Sequence, residues 1–395
     1  MKNNIHEIIT KRSIELFEKV VGYRNHMHKY PEISFQEHNT MKFVSDTLTN
    51  LGIQHEKGVG DTGVVAFISG KNNAPNQSCI GLRSDLDALP IQEENNVDYK
   101  STVDGVMHAC GHDVHTSILL GVAEILNELK DELLQPVKLI FQPGEERNPG
   151  GATFMIRDGV LKNPEVKEMY ALHVFPDMET GRVGFREGIY MASSDEIYVT
   201  ISGKGGHGAT PNKAIDPILI GATIVTSIQQ IVSRRCDPTI PSVLTFGHFE
   251  GIGATNIIPD KVLLKGTFRT LNEVWRKEAK VLIVSQIKLI AESLGGTAEI
   301  EISTGYPYLE NNPLLTSTLI AKTKDYLGED KVDLLPIRMT SEDFAFYSQE
   351  IPVCFFRLGV RNERKGIVYG VHHPKFDIEP EALKIGMQVM CLACF

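Results

Sequence analysis

Positive charge is in short supply. The chain sets 40 lysines and arginines against 50 aspartates and glutamates, a net charge of −10. A surface of that sign repels phosphate backbones, so nucleic acid is excluded as a first expectation for a partner. Long apolar runs are missing as well. None reaches the roughly 18 residues that a membrane-spanning helix needs, and the opening MKNNIHEIITKRS has no apolar core of the signal-peptide kind. The expectation is therefore a cytoplasmic protein with no membrane partner. Cysteine is scarce too: six in 395 residues do not make a disulfide scaffold. Cys391 and Cys394 form a lone CxxC in an apolar stretch, which reads as two small side chains on a helix face. Internal repeats, low-complexity runs and coiled-coil heptads are absent.

What is present is an ordinary core-forming composition, 42% hydrophobic, enough for two to three domains or one very large one. Residues 12–55 read as two helices around HKYPEISFQE, followed by strands near 62–69 and 78–84. From Val114 the apolar residues fall at 114, 118, 119, 122, 125, 126 and 129. That is helical spacing, with Asp113 placed as a possible N-cap. VKLIF (137–141) and MYALHV (169–174) are short apolar runs of buried-strand type. Strands alternating with helices predict an α/β core with a largely parallel sheet.

Near residue 190 the pattern changes. Strand-like segments at 195–202, 242–249, 261–269 and 297–304 are interleaved with helix-like segments at 216–234 and 272–294. The order β-α-β-β-α-β is that of a ferredoxin-like unit, whose first and last strands are neighbours. Entry and exit then lie close together, as an inserted domain requires. The expected organisation is an α/β domain from 1–188 and 303–395, interrupted by a smaller domain at 189–302.

Four segments hold most of the chemistry. RSDLDALP (83–90) delivers Asp85 and Asp87 after an apolar strand, where open α/β sheets bind ligands. Alone it reads as a turn with solvated acids. HACGHDVH (108–115) packs three histidines, a cysteine and an aspartate into eight residues. Thiolate and imidazole suit zinc and similar divalent ions, and Cys110 and His112 can face the same way from one turn. FQPGEE (141–146) ends a strand on two adjacent glutamates, which point in different directions; one can bind metal while the other stays free as a general base. His173 in YALHVF and His372-His373 in YGVHHPKF follow strand-like runs and, taken singly, read as core histidines. The inserted domain adds His207 in GKGGHGATP, Asn256 in GIGATNIIPD and Arg269 in KGTFRT. Periodicity gives none of these a role, although a strand pair could bring Asn256 and Arg269 to one rim.

Taken in order, RSDLDALP, GVMHACGHDVH, FQPGEE, ALHV, GKGGHGATP, NIIPD, GTFRT and HHPKF resemble the amidohydrolases that include aminoacylases, hippurate hydrolases and auxin-conjugate hydrolases, relatives of the folate-cleaving carboxypeptidases. The resemblance runs from about residue 20 to 390. It implies a metallopeptidase-like α/β catalytic domain with an inserted lid that mediates dimerisation. It implies five ligands, Cys110, His112, Glu146, His173 and His372, for two divalent ions: manganese or zinc first, cobalt or nickel as alternatives. His372 rather than His373 fits the family's His-x-Pro pattern. Asp85 stands where relatives carry a histidine ligand and is not expected to bind metal. Asp87 would orient the site from behind, Glu145 would be the catalytic base, and His207 would reach into the partner subunit's site to stabilise the oxyanion. Asn256 would bind near the scissile group and Arg269 would hold the substrate carboxylate. The implied reaction is hydrolysis of the amide bond of a small N-acyl amino acid by a homodimer or dimer-based oligomer. An N-acetyl-diaminopimelate deacetylase or a dipeptidase is the alternative within the enzyme class. A metal-binding module without catalysis is the alternative outside it.

Overall fold

The computed structural model describes residues 2–71 and 77–395. The chain divides into two compact units. One comprises residues 1–190, 310–337 and 346–395; the other comprises 191–309 and 338–345. Among the described residues no helix is long and apolar enough to cross a membrane.

The first unit is built on a mixed eight-stranded sheet. Its order is Gln54–Val59, Gly63–Ile68, Val137–Gln142, Cys79–Asp85, Val166–Glu179, Val353–Arg361, Val183–Phe185 and Val332–Leu334. The four central strands run parallel, and antiparallel pairs flank them on both sides. Cys79–Asp85 and Val137–Gln142 are buried along their whole length, as expected of parallel strands covered on both faces. The parallel register sets Asp85 level with Gln142 and Arg83 level with Ala171. The carboxyl ends of neighbouring strands therefore open at one height, where such sheets place ligands.

The helix His112–Glu128 packs on this sheet, and all seven apolar positions read from its periodicity are buried. Its start differs from the expectation. Gly111, at φ 87°, occupies the N-cap position, and Asp113 caps nothing. The Asp113 carboxylate is instead buried against the Arg24 guanidinium (2.9 Å) and His28 Nδ1 (2.8 Å), partners from a distant helix that compete successfully with the local backbone. Lys138 is another buried charge, its ammonium donating to the carbonyls of Val160, Lys162 and Pro164 and so tying one strand to the loop after the helix Gly151–Arg157.

The second unit is a four-stranded antiparallel sheet, ordered Ser242–Glu250, Lys261–Thr270, Asp195–Ser202, Thr297–Thr304. The helices Pro217–Ser227 and Glu273–Ser293 complete a β-α-β-β-α-β order in which first and last strands pair. Asp216 and Asn272 cap the two helices through their side chains. The helical region expected at 216–234 is not continuous: the α-helix ends at Ser227 and a π-helical turn covers Ile231–Arg235. The unit's limits also differ from 189–302. Residues 305–308 are stitched to it by Gly305 N–Ser194 O, Ser194 N–Tyr306 O and Tyr308 N–Glu273 Oε1 bonds. Residues 338–345 return to it from a distance in sequence, with Ala192 N bonded to Thr340 O.

Candidate metal centre

The centre of the first unit gathers donors from four segments. Single ligand atoms of Cys110, His112 and His173 lie within 4.8 Å of one another; so do those of Cys110, Glu146 and His372, and those of His112, Glu145 and Glu146. The three overlapping trios contain all five ligands that the sequence resemblance implied, with Glu145 beside them.

Hydrogen bonding orients each donor. His112 Nδ1 faces the carbonyl oxygen of Asp87 at 2.9 Å and its Oδ1 at 3.1 Å, so Nδ1 carries the hydrogen. That leaves His112 Nε2 bare, buried and without a hydrogen-bond partner. His173 Nδ1 donates to Val174 O at 2.8 Å, which turns Nε2 to within 3.4 Å of Cys110 Sγ. Glu146 Oε1 is a second buried atom without a hydrogen bond, 4.0 Å from His112 Nε2 and 3.3 Å from His372 Nε2. Two buried polar atoms left unbonded in one cluster are costly unless something binds them, and thiol, imidazole and carboxylate form a donor set for a divalent ion. The residues therefore fit the metals that the resemblance implies.

Choosing between the paired histidines is a matter of direction. His372 adopts a left-handed backbone (φ 66°), with its N–H on Ala109 O at 2.7 Å. The His373 ring stacks on Tyr369 at 4.4 Å and its Nδ1 accepts from Lys375 N. His115 is not available either. Its Nδ1 donates to Asp85 Oδ1 (2.6 Å) and its Nε2 accepts from Val174 N (2.9 Å), so both nitrogens are used. Asp85 is likewise spent on His115 and Arg83.

Electrostatics sharpen these roles. Burial works against a charge on His112, but Asp85, Asp87 and Glu146 outweigh it and push its pKa up to about 10. Burial, with the charges of Glu146, Glu145 and Asp85, holds the Cys110 thiol well above its ordinary value. Burial and the neighbouring Arg357 keep His173 far below its own. His108, with both ring nitrogens unbonded, is pushed down to about 4, chiefly by burial.

Sequence reasoning placed Asp87 behind this cluster but passed over Glu37. Glu37 is fully buried, and its carboxylate accepts from Gly144 N (2.8 Å) and Thr62 Oγ1 (2.5 Å). Burial and the charge of Asp87 raise its pKa to about 7. The HKYPEISFQE segment held this residue, but nothing local distinguishes a buried glutamate from a solvated one.

The inserted residues lie in the second unit. His207 is exposed on the short strand Gly206–His207, which pairs with Ile257–Ile258, and Gly208 N donates to Asn256 O. Arg269 is half-buried, with Nη1 directed at Met339 O (3.3 Å) and Ser341 Oγ (3.2 Å). One expectation fails. Asn256 precedes the strand Lys261–Thr270, and Arg269 is eight positions beyond that strand's first residue, about 26 Å along it at the usual rise. The two do not share a rim of this unit, because the chain reverses before the strand and not within it.

Comparison with known proteins agrees with this geometry. Residues 81–394 match the model of the family described as peptidase family M20/M25/M40. An IAA-amino acid hydrolase of Arabidopsis thaliana (ILR1-like 5) is 39% identical over 381 residues, covering 95% of this chain and 86% of the relative. The N-acetyl-L-cysteine deacetylase of Bacillus subtilis is 36% identical over 370 residues, covering 93% and 85%. Among solved structures, the Bacillus subtilis protein YXEP, described as a dinuclear metal binding peptidase, aligns with a TM-score of 0.81 at 31% identity, over 96% of this chain and 97% of that one.

Proposed function

The chain belongs to the M20/M25/M40 peptidase family, and on that premise we propose that it hydrolyses the amide bond of small N-acyl amino acids with two divalent ions. One observation carries the reading: the bare His112 Nε2 and Glu146 Oε1 converge, buried, with Cys110, His173 and His372. The names of the two relatives, an IAA-amino acid hydrolase and an N-acetylcysteine deacetylase, favour acyl amino acids, and the dinuclear neighbour favours a pair of ions. Manganese or zinc suits this mixed set best, with cobalt or nickel next.

Cys110, His112, Glu146, His173 and His372 hold the ions. When bound, divalent ions supply a way to deprotonate water near neutral pH and to polarise a carbonyl. Glu145 accepts the proton of the attacking water on its carboxylate and returns it to the leaving nitrogen. Asp87 holds one hydrogen of His112 on Nδ1, so Nε2 is the nitrogen that donates electrons to the ion once it has lost its own proton. His207 donates to the oxygen on which negative charge grows, Asn256 contacts the scissile group, and Arg269 holds the free carboxylate of the substrate. His207 and Asn256 lie together at one end of the second unit, joined by the Gly208 N–Asn256 O bond, and in this reading that end serves the partner's centre in a dimer. In this reading the first unit is the catalytic domain and the second the lid.

The test is release of free amine from N-acetyl, N-benzoyl and indole-acyl amino acids and from dipeptides by manganese- or zinc-loaded protein. Cleavage of acyl amino acids is expected. Cleavage of dipeptides alone, or of nothing by fully loaded protein, would overturn the reading.

A further inference from the structure

The loop that presents Glu145 and Glu146 is held by its backbone. Gly144 N donates to Glu37 Oε1 at 2.8 Å, and Glu146 N donates to Asp87 Oδ2 at 2.9 Å. Two buried carboxylates thus grip the amides on either side of Glu145. Both lead to one short segment. Ser34 Oγ donates to Asp87 Oδ2 at 2.6 Å, and Glu37 is three residues further on. Between them Phe35 adopts a left-handed backbone, φ 65°, a conformation that is strained for an aromatic residue and is kept where the surroundings demand it. Its ring lies flush on Gly144: a Cβ added there would meet the ring at 2.4 Å. Gly144 itself has φ 60°, so the glycine and the ring fix each other.

Glu37 is the costly member. It is fully buried, and both its donors are neutral, an amide and a hydroxyl. Burying a carboxyl group without a cation is expensive, and charged or neutral it presents an acceptor oxygen to the Gly144 amide.

We propose that Ser34, Phe35 and Glu37 form a positioning brace that fixes the backbone under Glu145 and Glu146, and so sets the direction of both carboxylates. The proposal rests on the roles given to those two glutamates above, and its first readout needs no substrate.

The probe is Co2+ alone, followed by its visible absorption. Glu37→Ala should weaken Co2+ binding by about 10- to 100-fold, the range found when groups supporting a ligand are removed, and should alter the absorption band. With an amide substrate, kcat should fall while KM stays within about twofold. Glu37→Gln keeps an acceptor for Gly144 N and should recover most of the Co2+ affinity and the band shape. Thr62→Val, which removes the other donor to Glu37, should lower thermal stability but leave the band unchanged. Folded Glu37→Ala with wild-type Co2+ affinity and spectrum would sink the proposal. If Glu37→Ala does not fold, Ser34→Ala and Glu37→Gln carry the test: several-fold weaker Co2+ binding by Ser34→Ala supports the brace, and wild-type binding by both refutes it. Wild-type protein that binds Co2+ but cleaves no amide defeats the proposed function and leaves the brace to be judged on Co2+ alone.

Discussion

Loading the centre should be a proton-exchange reaction whose size can be worked out. Among the protein's own groups His112 is surrounded by acids: Asp85 Oδ2 is 3.7 Å and Glu146 Oε1 4.0 Å from its Nε2, and Asp87 Oδ1 is 3.1 Å from Nδ1. These charges overcome burial and raise its pKa to about 10. Nε2 must lose its proton before it can hold a cation. At pH 7 the site lies three units below that pKa (10 − 7), which at about 1.4 kcal/mol per unit comes to roughly 4 kcal/mol, or a thousandfold in apparent affinity. Cys110, whose thiol is held well above its ordinary value, gives up a second proton. Calorimetric titration with Mn2+ or Zn2+ in two buffers of different ionisation enthalpy should count about two protons released at pH 7. Affinity should rise with pH throughout the neutral range. The stability of the metal-free protein should run the other way. A raised histidine pKa stabilises the folded state fully below about 6.5, and that contribution is lost as pH rises towards 10. Uptake without proton release, with affinity flat between pH 6 and 8, would show that His112 is neutral before the ion arrives and would refute the charge balance drawn here.

Other expectations follow from single side chains. Glu145→Gln should retain metal by elemental analysis yet lose about 10²- to 10⁴-fold in kcat, whereas Glu146→Gln should lose metal; the reverse pattern would exchange their roles. Arg269→Ala should penalise acyl amino acids far more than the matching amides that lack a free carboxylate, and equal losses would mark a structural arginine bonded to Met339 and Ser341. Mixing inactive His207→Ala with inactive Glu145→Gln under subunit exchange should restore activity, since a heterodimer then holds one intact site. A mixture that stays dead despite demonstrated exchange would place His207 in its own chain's chemistry.

Local pattern made most of this architecture legible. Val137–Gln142 could be read because an apolar run ends at Pro143-Gly144, and the helix after Gly111 because its apolar stripe never breaks. The strand around His173 is longer than its apolar run, Val166–Glu179 against an expected 169–174, because pairing with two neighbours holds its polar ends. What stayed hidden depends on residues far apart in sequence. Asp113 looks like a cap until Arg24 and His28, 89 and 85 residues upstream, are seen against it. Glu37 serves an amide 107 residues away. The misplaced pairing of Asn256 with Arg269 came from counting residues without knowing where the chain turns. Of the donors, Cys110 and His112 stand out in HACGHDVH by residue type alone, whereas His173 and His372 pass for core histidines until the resemblance groups them with the rest.

The hydrogen bonds from Arg83 through Asp85 and His115 to the amide of Val174 use none of the atoms that would hold an ion. These bonds behind the centre therefore need no ion to form. Folding and loading should then be separable events, unlike in small zinc domains that collapse when the ion is withdrawn. A chelator should leave a reserve of folded, idle protein that switches on when a transition metal is supplied. Because affinity alone discriminates poorly among such ions, the ion it carries is decided by what its surroundings offer at the moment of loading.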